Sequence, residues 1–248
     1  MALLLAWALS SGGAFGEESK EPSLSTSRPV AIPRPEWFRE ADRQRREMAK
    51  GGARVCLFGD SLTAFWPTVG VGSWELDLVP LHPLNAGIAG DRVENVHFRI
   101  QQATFGKPEP ELLIIWCGTN NLGKEAPDPP ESVSAGLVAL LKTVRAKFPR
   151  SAVLVLSILP SGFEPGSPLR QRIRRANELI QAQVVTLESR WLGLHDDFLE
   201  VDGRWKAGLT IDGTHLSARG YDLLASKLAP VLREMQKGEE TPWNHQKR

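Results

Sequence analysis

Four short stretches of this chain carry the residue types that acyl-transfer chemistry needs. Ser61 sits in Phe58-Gly59-Asp60-Ser61-Leu62-Thr63, directly after the apolar run Val55-Cys56-Leu57-Phe58. A serine hydroxyl is a weak nucleophile until a base takes its proton. Asp212 and His215 lie three residues apart in Asp212-Gly213-Thr214-His215-Leu216-Ser217. At that spacing a carboxylate can hold one imidazole nitrogen and leave the other free to act as base. Asn120, in Trp116-Cys117-Gly118-Thr119-Asn120-Asn121, carries a neutral side-chain donor suited to an oxyanion. Gly90, in Asn85-Ala86-Gly87-Ile88-Ala89-Gly90-Asp91, can bring a backbone N–H close to a ligand.

Each signal is weak alone. A lone serine after a strand is usually a turn or cap residue. The Gly87–Gly90 stretch reads as a tight strand-to-helix turn, and it lacks the third glycine of a dinucleotide fingerprint. Gly-Thr-Asn-Asn suits an Asx turn. Asp212 suits a helix start, with His215 on the surface. Together the four supply nucleophile, base, orienting acid and oxyanion donors, each at a strand's carboxyl end or a helix start. That is where an open α/β sheet presents its ligand site. A metal site would need further ligands, and no other His or Cys stands at a useful spacing. Phe65 and Trp66, one turn past Ser61, either wall a small acyl pocket or belong to the core, with the core reading favoured for Phe65.

The elements that would position these residues alternate along the chain. Apolar runs at 54–58, 83–85, 111–117, 152–158 and 191–194 read as strands. Amphipathic stretches at 61–66, 92–103, 130–148, 169–189 and 218–236 read as helices, with Ser217 as N-cap of the last. Strands buried on both faces and separated by helices imply a parallel sheet with helices on both sides. Residues 36–50 form a further helix, docking through Trp37, Phe38 and Met48. The basic run Arg170, Arg172, Arg174 and Arg175 is either an interface or a solvated helix face, and the second is the ordinary outcome.

In these four blocks the sequence resembles the SGNH hydrolase superfamily, the GDSL esterases and lipases. Gly59-Asp60-Ser61-Leu62 matches the first block, Gly90 the second, Asn120 the third, and Asp212 with His215 the last. Within that superfamily the chain is similar to the platelet-activating-factor acetylhydrolase group. That likeness is carried by residues 84–91, by Gly118-Thr119-Asn120-Asn121, and by the stretch from Leu159-Pro160 to Arg174-Arg175-Ala176-Asn177-Glu178-Leu179. Catalytic chemistry alone does not require that last stretch. Asn121 stands where many superfamily members have aspartate. The resemblance implies a three-layer α/β/α, flavodoxin-like fold with a parallel five-stranded sheet and helices on both faces. It implies a hydrolase domain over 36–237 with its core at 54–232. It further implies hydrolysis of small-acyl, acetyl esters, with Ser61, Asp212 and His215 catalytic. Ser61, Gly90 and Asn120 would bind the oxyanion, with no metal or other cofactor. The family's catalytic subunits pair, so a homodimer is implied as well. The substrate would be a small-molecule ester, with acetylated carbohydrate preferred. A phospholipid-directed acetylhydrolase or lysophospholipase is the alternative, and a non-catalytic glycan- or protein-binding module of the same fold is a third reading.

The bulk properties agree with a globular enzyme of one domain. The chain has 248 residues, 42% hydrophobic and 24% charged, with a formal net charge of +1. That balance gives no reason to expect nucleic acid or an anionic membrane as partner. Cys56 and Cys117 each lie in an apolar run and read as small core residues. Residues 1–16 resemble a signal peptide, apolar at 2–9 and ending in the small-x-small Ala14-Phe15-Gly16. This points to a secreted or periplasmic protein with no membrane span in its mature form. The missing Lys or Arg ahead of the apolar stretch leaves a start further upstream, or a membrane tether, as other readings. Residues 17–35, rich in Ser, Pro, Glu and Lys, read as a disordered linker, and 238–248 as a flexible tail.

Overall fold

A run of apolar residues becomes a doubly buried strand when successive side chains find cores on opposite faces of one sheet. In the computed structural model, which describes residues 24–123 and 127–236, the three central members of a set of five strands do so. The five are β1 (Val55–Gly59), β2 (Pro83–Gly87), β3 (Leu112–Trp116), β4 (Ala152–Leu156) and β5 (Arg190–Leu192). Cys56, Phe58, Leu113, Ile115, Val153 and Val155 point to one core, and Val55, Leu57, Leu112, Ile114, Leu154 and Leu156 to the other. All pairings are parallel, in the order β2-β1-β3-β4-β5. This is the flavodoxin-like order, and its switch point lies between β1 and β3.

The helices are α1 (Pro35–Lys50), α2 (Ser61–Ala64), α3 (Trp66–Val69), α4 (Val71–Ser73), α5 (Val93–Gln102), α6 (Thr119–Leu122), α7 (Pro130–Lys147), α8 (Pro168–Val184) and α9 (Ala218–Gln236). The first face is covered by α5, α7 and α8, with Met48 of α1 joining it. The second is covered by α9 and by Trp66, Trp74, Leu78 and Leu81 from the turns after β1. Ser217 Oγ accepts the Gly220 N–H at 3.1 Å and caps α9.

Four expectations change. The single helix at 61–66 is broken at Phe65, and α3 restarts with Pro67 in its first turn, where a missing N–H is tolerated. The helix expected to reach residue 189 ends at Val184 and closes in a short 3₁₀ turn, because the β-branched run Val184-Val185-Thr186 supports α-helix poorly. The expected linker, from Leu24 onward, lies against the body. Thr26 is buried and donates to Ser132 O at 2.5 Å, while the Val30 N–H donates to Glu94 O and the Val30 carbonyl accepts the Asn95 side-chain amide. The segment thus finds partners on α5 and α7. Finally, Arg170 is not solvated: it is 1% exposed, beneath the segment that follows β4. The suggested signal segment, residues 17–23 and the tail at 238–248 lie outside the described residues.

Candidate active site

Three strand ends meet at the switch point. Gly59 pairs with Gly87 on one side and Trp116 on the other, so the loops after β1, β2 and β3 emerge side by side. Asp60 ends β1, and its carboxylate accepts the Leu62 N–H at 3.0 Å, capping α2 with Ser61 as first residue. The turn is pinned from two sides. Asn85 donates to Thr63 O at 2.7 Å, and Tyr221 from α9 donates to Leu62 O at 2.7 Å. Gly87 must be glycine for close approach, since a Cβ there would lie 2.4 Å from the Ala64 nitrogen.

His215 reaches this turn from the loop before α9. Ser61 Oγ lies 3.0 Å from His215 Nε2, and His215 Nδ1 lies 2.7 Å from Asp212 Oδ2. The other carboxylate oxygen of Asp212 accepts the N–H groups of Thr214 at 2.9 Å and His215 at 2.8 Å. The loop is therefore folded around its own acid. Burial pushes the Asp212 carboxyl upward, but the imidazole and the two backbone donors outweigh it and hold it below the ordinary carboxylate value. Ser61 is buried, whereas the His215 and Asp212 side chains are 32% and 50% exposed.

The anion-binding side is built by the second and third loops. Asn120 donates one side-chain hydrogen to Asp91 O at 2.9 Å, which fixes the amide and leaves its second hydrogen for a ligand. Gly90 has φ +84°, a conformation that favours glycine, and a Cβ there would project into open space. Asn121 faces away from the site. Its oxygen accepts the Val93 N–H at 2.9 Å, and its amide donates to Glu94 at 3.0 Å and Asp128 at 2.9 Å. An aspartate there would face two carboxylates, which accounts for the asparagine.

Beneath the second loop lies a buried network that inspection of the sequence missed. Asp91 accepts the Trp37 indole N–H at 2.6 Å and Arg99 Nε at 2.7 Å. Arg99 also donates to Gly59 O at 2.9 Å, Ala86 O at 2.5 Å and Gln44 at 3.0 Å. Gln44 in turn donates to Gly87 O at 3.0 Å. Removing one partner of such a buried pair typically costs about 3–5 kcal/mol. The only local signal was Asp91 following Gly90; Arg99 lies on the next helix, while Trp37 and Gln44 come from distant α1.

Asp60 is 1% exposed, and its second carboxylate oxygen has no partner among the described residues. Burial, reinforced by nearby Asp91 and opposed by the Leu62 N–H and His215, raises its pKa to about 7. An unfolded aspartate titrates near ~3.9. Because the folded value is the higher one, the stabilising contribution is full below ~3.9 and is lost as pH rises towards 7. Between about pH 5 and 8 this one group should cost roughly 2–3 kcal/mol of folding stability. Urea unfolding of Asp60→Asn should show that slope removed; an unchanged slope would mean that Asp60 is ionised throughout.

Of the aromatic pair after Ser61, Phe65 departs from the core reading favoured for it. Trp66 is fully buried, stacked on Tyr221 at 5.7 Å with its indole N–H on Ser73. Phe65 is 36% exposed, with its ring 5.5 Å from that of His215. The restart of the helix at Trp66 turns Phe65 outward. Both cysteines are free and buried, and burial pushes their thiols well up. Among the described residues, no cluster of three His, Cys, Asp or Glu side chains is arranged to hold a metal ion, and no helix is long and apolar enough to cross a membrane.

An imidazole between a buried hydroxyl and a carboxylate can carry out acyl transfer. Known proteins agree. The GDSL-like lipase/acylhydrolase family model matches residues 57–223. The bovine platelet-activating factor acetylhydrolase IB subunit alpha1 is 33% identical over 179 residues, covering 72% of this chain and 74% of its own. The human alpha2 subunit is 28% identical over 229 residues, covering 89% and 96%. Among solved structures, a GDSL-like lipase from Bacteroides thetaiotaomicron superposes with a TM-score of 0.68 at 16% identity, over 80% of this chain and 98% of that one. An acetylxylan esterase from Geobacillus stearothermophilus superposes at 0.58 and 18%, over 75% and 95%. With its sheet order and its four blocks, the chain belongs to the GDSL-like lipase/acylhydrolase family and is a carboxylic ester hydrolase.

Proposed function

We propose that the protein removes acetyl groups from small-molecule esters through an acyl-enzyme on Ser61. The observation that carries this is the Ser61–His215–Asp212 chain, with contacts of 3.0 and 2.7 Å. His215 Nε2 takes the Ser61 proton as Oγ bonds to the ester carbonyl carbon. The carbonyl oxygen becomes an anion held by the N–H groups of Ser61 and Gly90 and by the Asn120 amide. The intermediate collapses, the bond from the acyl carbon to the alcohol oxygen breaks, His215 protonates the departing alcohol, and the acetyl group remains on Oγ. Water, activated by the same ring, then releases acetic acid and restores the hydroxyl. Asp212 keeps the ring in the useful tautomer and stabilises its charged form.

An acetyl preference is supported by the names of similar proteins, a platelet-activating factor acetylhydrolase and an acetylxylan esterase. On the alcohol side, Phe65 beside His215 and Phe163, 58% exposed against Gly213, offer flat apolar faces that suit a sugar ring. Ile211, exposed and next to Asp212 in the chain, favours acetylated phospholipid as second reading. Rates on acetylated sugars, aryl acetates and acetylated phospholipid, with Ser61→Ala as blank, test the proposal. Turnover of none of them, or equal turnover by the blank, would refute it. Asn120→Ala should lower kcat by roughly 10²–10³ with little change in KM, since its second N–H acts on the developing oxyanion. Export of the mature chain and pairing into a homodimer belong to the same proposal. N-terminal sequencing of the protein from its natural source and sedimentation at micromolar concentration test them.

A further inference from the structure

We propose that segment 158–163 and the inner face of α8 form a brace that sets the position of His215, with Arg170 and Asn177 as positioning residues. The proposal rests on the reading of His215 as the base. It gives a task to the stretch from Leu159 to Leu179, which the reaction itself does not use.

The segment leaves the sheet after β4 and is gripped at both ends by one helix face. Asn177 closes a reciprocal pair on Ile158, accepting its N–H at 2.9 Å and donating to its carbonyl at 2.8 Å. Two turns earlier on α8, Arg170 donates through Nε to Ser161 O at 2.9 Å and through Nη2 to Gly162 O at 2.8 Å. Trp205 completes the grip, with its indole N–H on Gly162 O at 3.1 Å and its ring 5.8 Å from the guanidinium carbon.

The opposite edge of the segment holds the loop between Asp212 and His215. Ser161 Oγ lies 2.7 Å from Thr214 Oγ1, and the Gly162 N–H donates to Gly213 O at 2.8 Å. Phe163 packs its ring on Gly213, where an added Cβ would meet it at 3.2 Å. Both residues between the acid and the base are therefore fastened to a segment that Arg170 and Asn177 fasten to the core. The acceptors around Arg170 are backbone carbonyls, with Gly203 O at 3.4 Å as the remaining one. A guanidinium buried on carbonyls supplies geometry, and its planar fork serves two adjacent carbonyls as an ammonium cannot.

The test uses the full chain with Arg170→Lys and Ser161→Ala, alone and combined, and exposed Arg174→Ala as control. Small displacements of a reacting group cost up to about a hundredfold in rate, so each of the first two should lower kcat by roughly ten- to a hundredfold, with KM within about twofold. The double variant should be little worse than Arg170→Lys alone, because both act through one strut. The low-field proton resonance of the His215–Asp212 pair should shift or broaden in both, and Arg174→Ala should match wild type throughout. Wild-type kcat and an unmoved resonance in Ser161→Ala, or additive losses in the double variant, would overturn the brace. Ser161→Ala deletes one hydroxyl and keeps the test open should Arg170→Lys fail to fold. Absence of ester turnover in the wild-type protein would instead sink the hydrolase reading, and the resonance would then decide the brace alone.

Discussion

Ester turnover by a Ser61→Ala protein should fall by roughly 10⁴–10⁶-fold. In the proposed reaction the missing oxygen is the one that bonds to the acyl carbon, and His215 Nε2 has it as its partner at 3.0 Å. What remains is the oxyanion cradle, which accelerates reaction only modestly over water. The fold should survive, because the turn around residue 61 is held by Asp60, Asn85 and Tyr221 and not by the hydroxyl. Aryl acetate hydrolysis at enzyme concentrations high enough to see slow turnover measures the loss, with thermal unfolding as control. A variant within tenfold of wild type would remove Ser61 from the reaction.

The second large effect concerns Asp212. Asp212→Asn should lower kcat by about 10⁴ while leaving the loop folded. The carboxylate oxygen that accepts the Thr214 and His215 N–H groups has no substitute except the amide oxygen of asparagine. That places the amide NH₂ against His215 Nδ1, where a donor is wrong. The ring must then carry its proton on Nε2, facing Ser61, and cannot accept another. Because the fault is a tautomer and not a lost charge, the half-exposed position of Asp212 does not soften it. Added salt should not change the ratio of the two rates, whereas a through-space charge effect would be screened. A loss that shrinks strongly with salt would point to electrostatics as the role of Asp212.

The frame was legible because strands buried on both faces are written as short apolar runs, and the long helices keep a 3.6-residue stripe. The residues gathered at the switch point stood out because Gly, Asn and Asp interrupt those runs at the same end of β1, β2 and β3. What could not be read were polar side chains whose surroundings come from far along the chain. Arg170 looks like its neighbours Arg174 and Arg175, yet it is buried because Gly162 and Trp205 fold over it. Arg99 and Gln44 look like ordinary helix-surface residues until Asp91 and the ends of β1 and β2 are brought between them. Phe65 and Trp66 could not be told apart, because a one-residue break in the helix decides which ring turns inward.

The pairing of Asp91 with Trp37 and Arg99 bears on where an engineer may cut this protein. The stretch that defines the family begins at residue 57, past α1 and inside β1, and stops at residue 223, within the first turns of α9. A version pared to those limits would keep Ser61, Asp212 and His215 and lose the Trp37 indole that donates to Asp91 and the Gln44 amide that accepts from Arg99. Such a minimal enzyme should be soft under its oxyanion loop, so library designs and domain fusions are better anchored ahead of Pro35 and beyond α9.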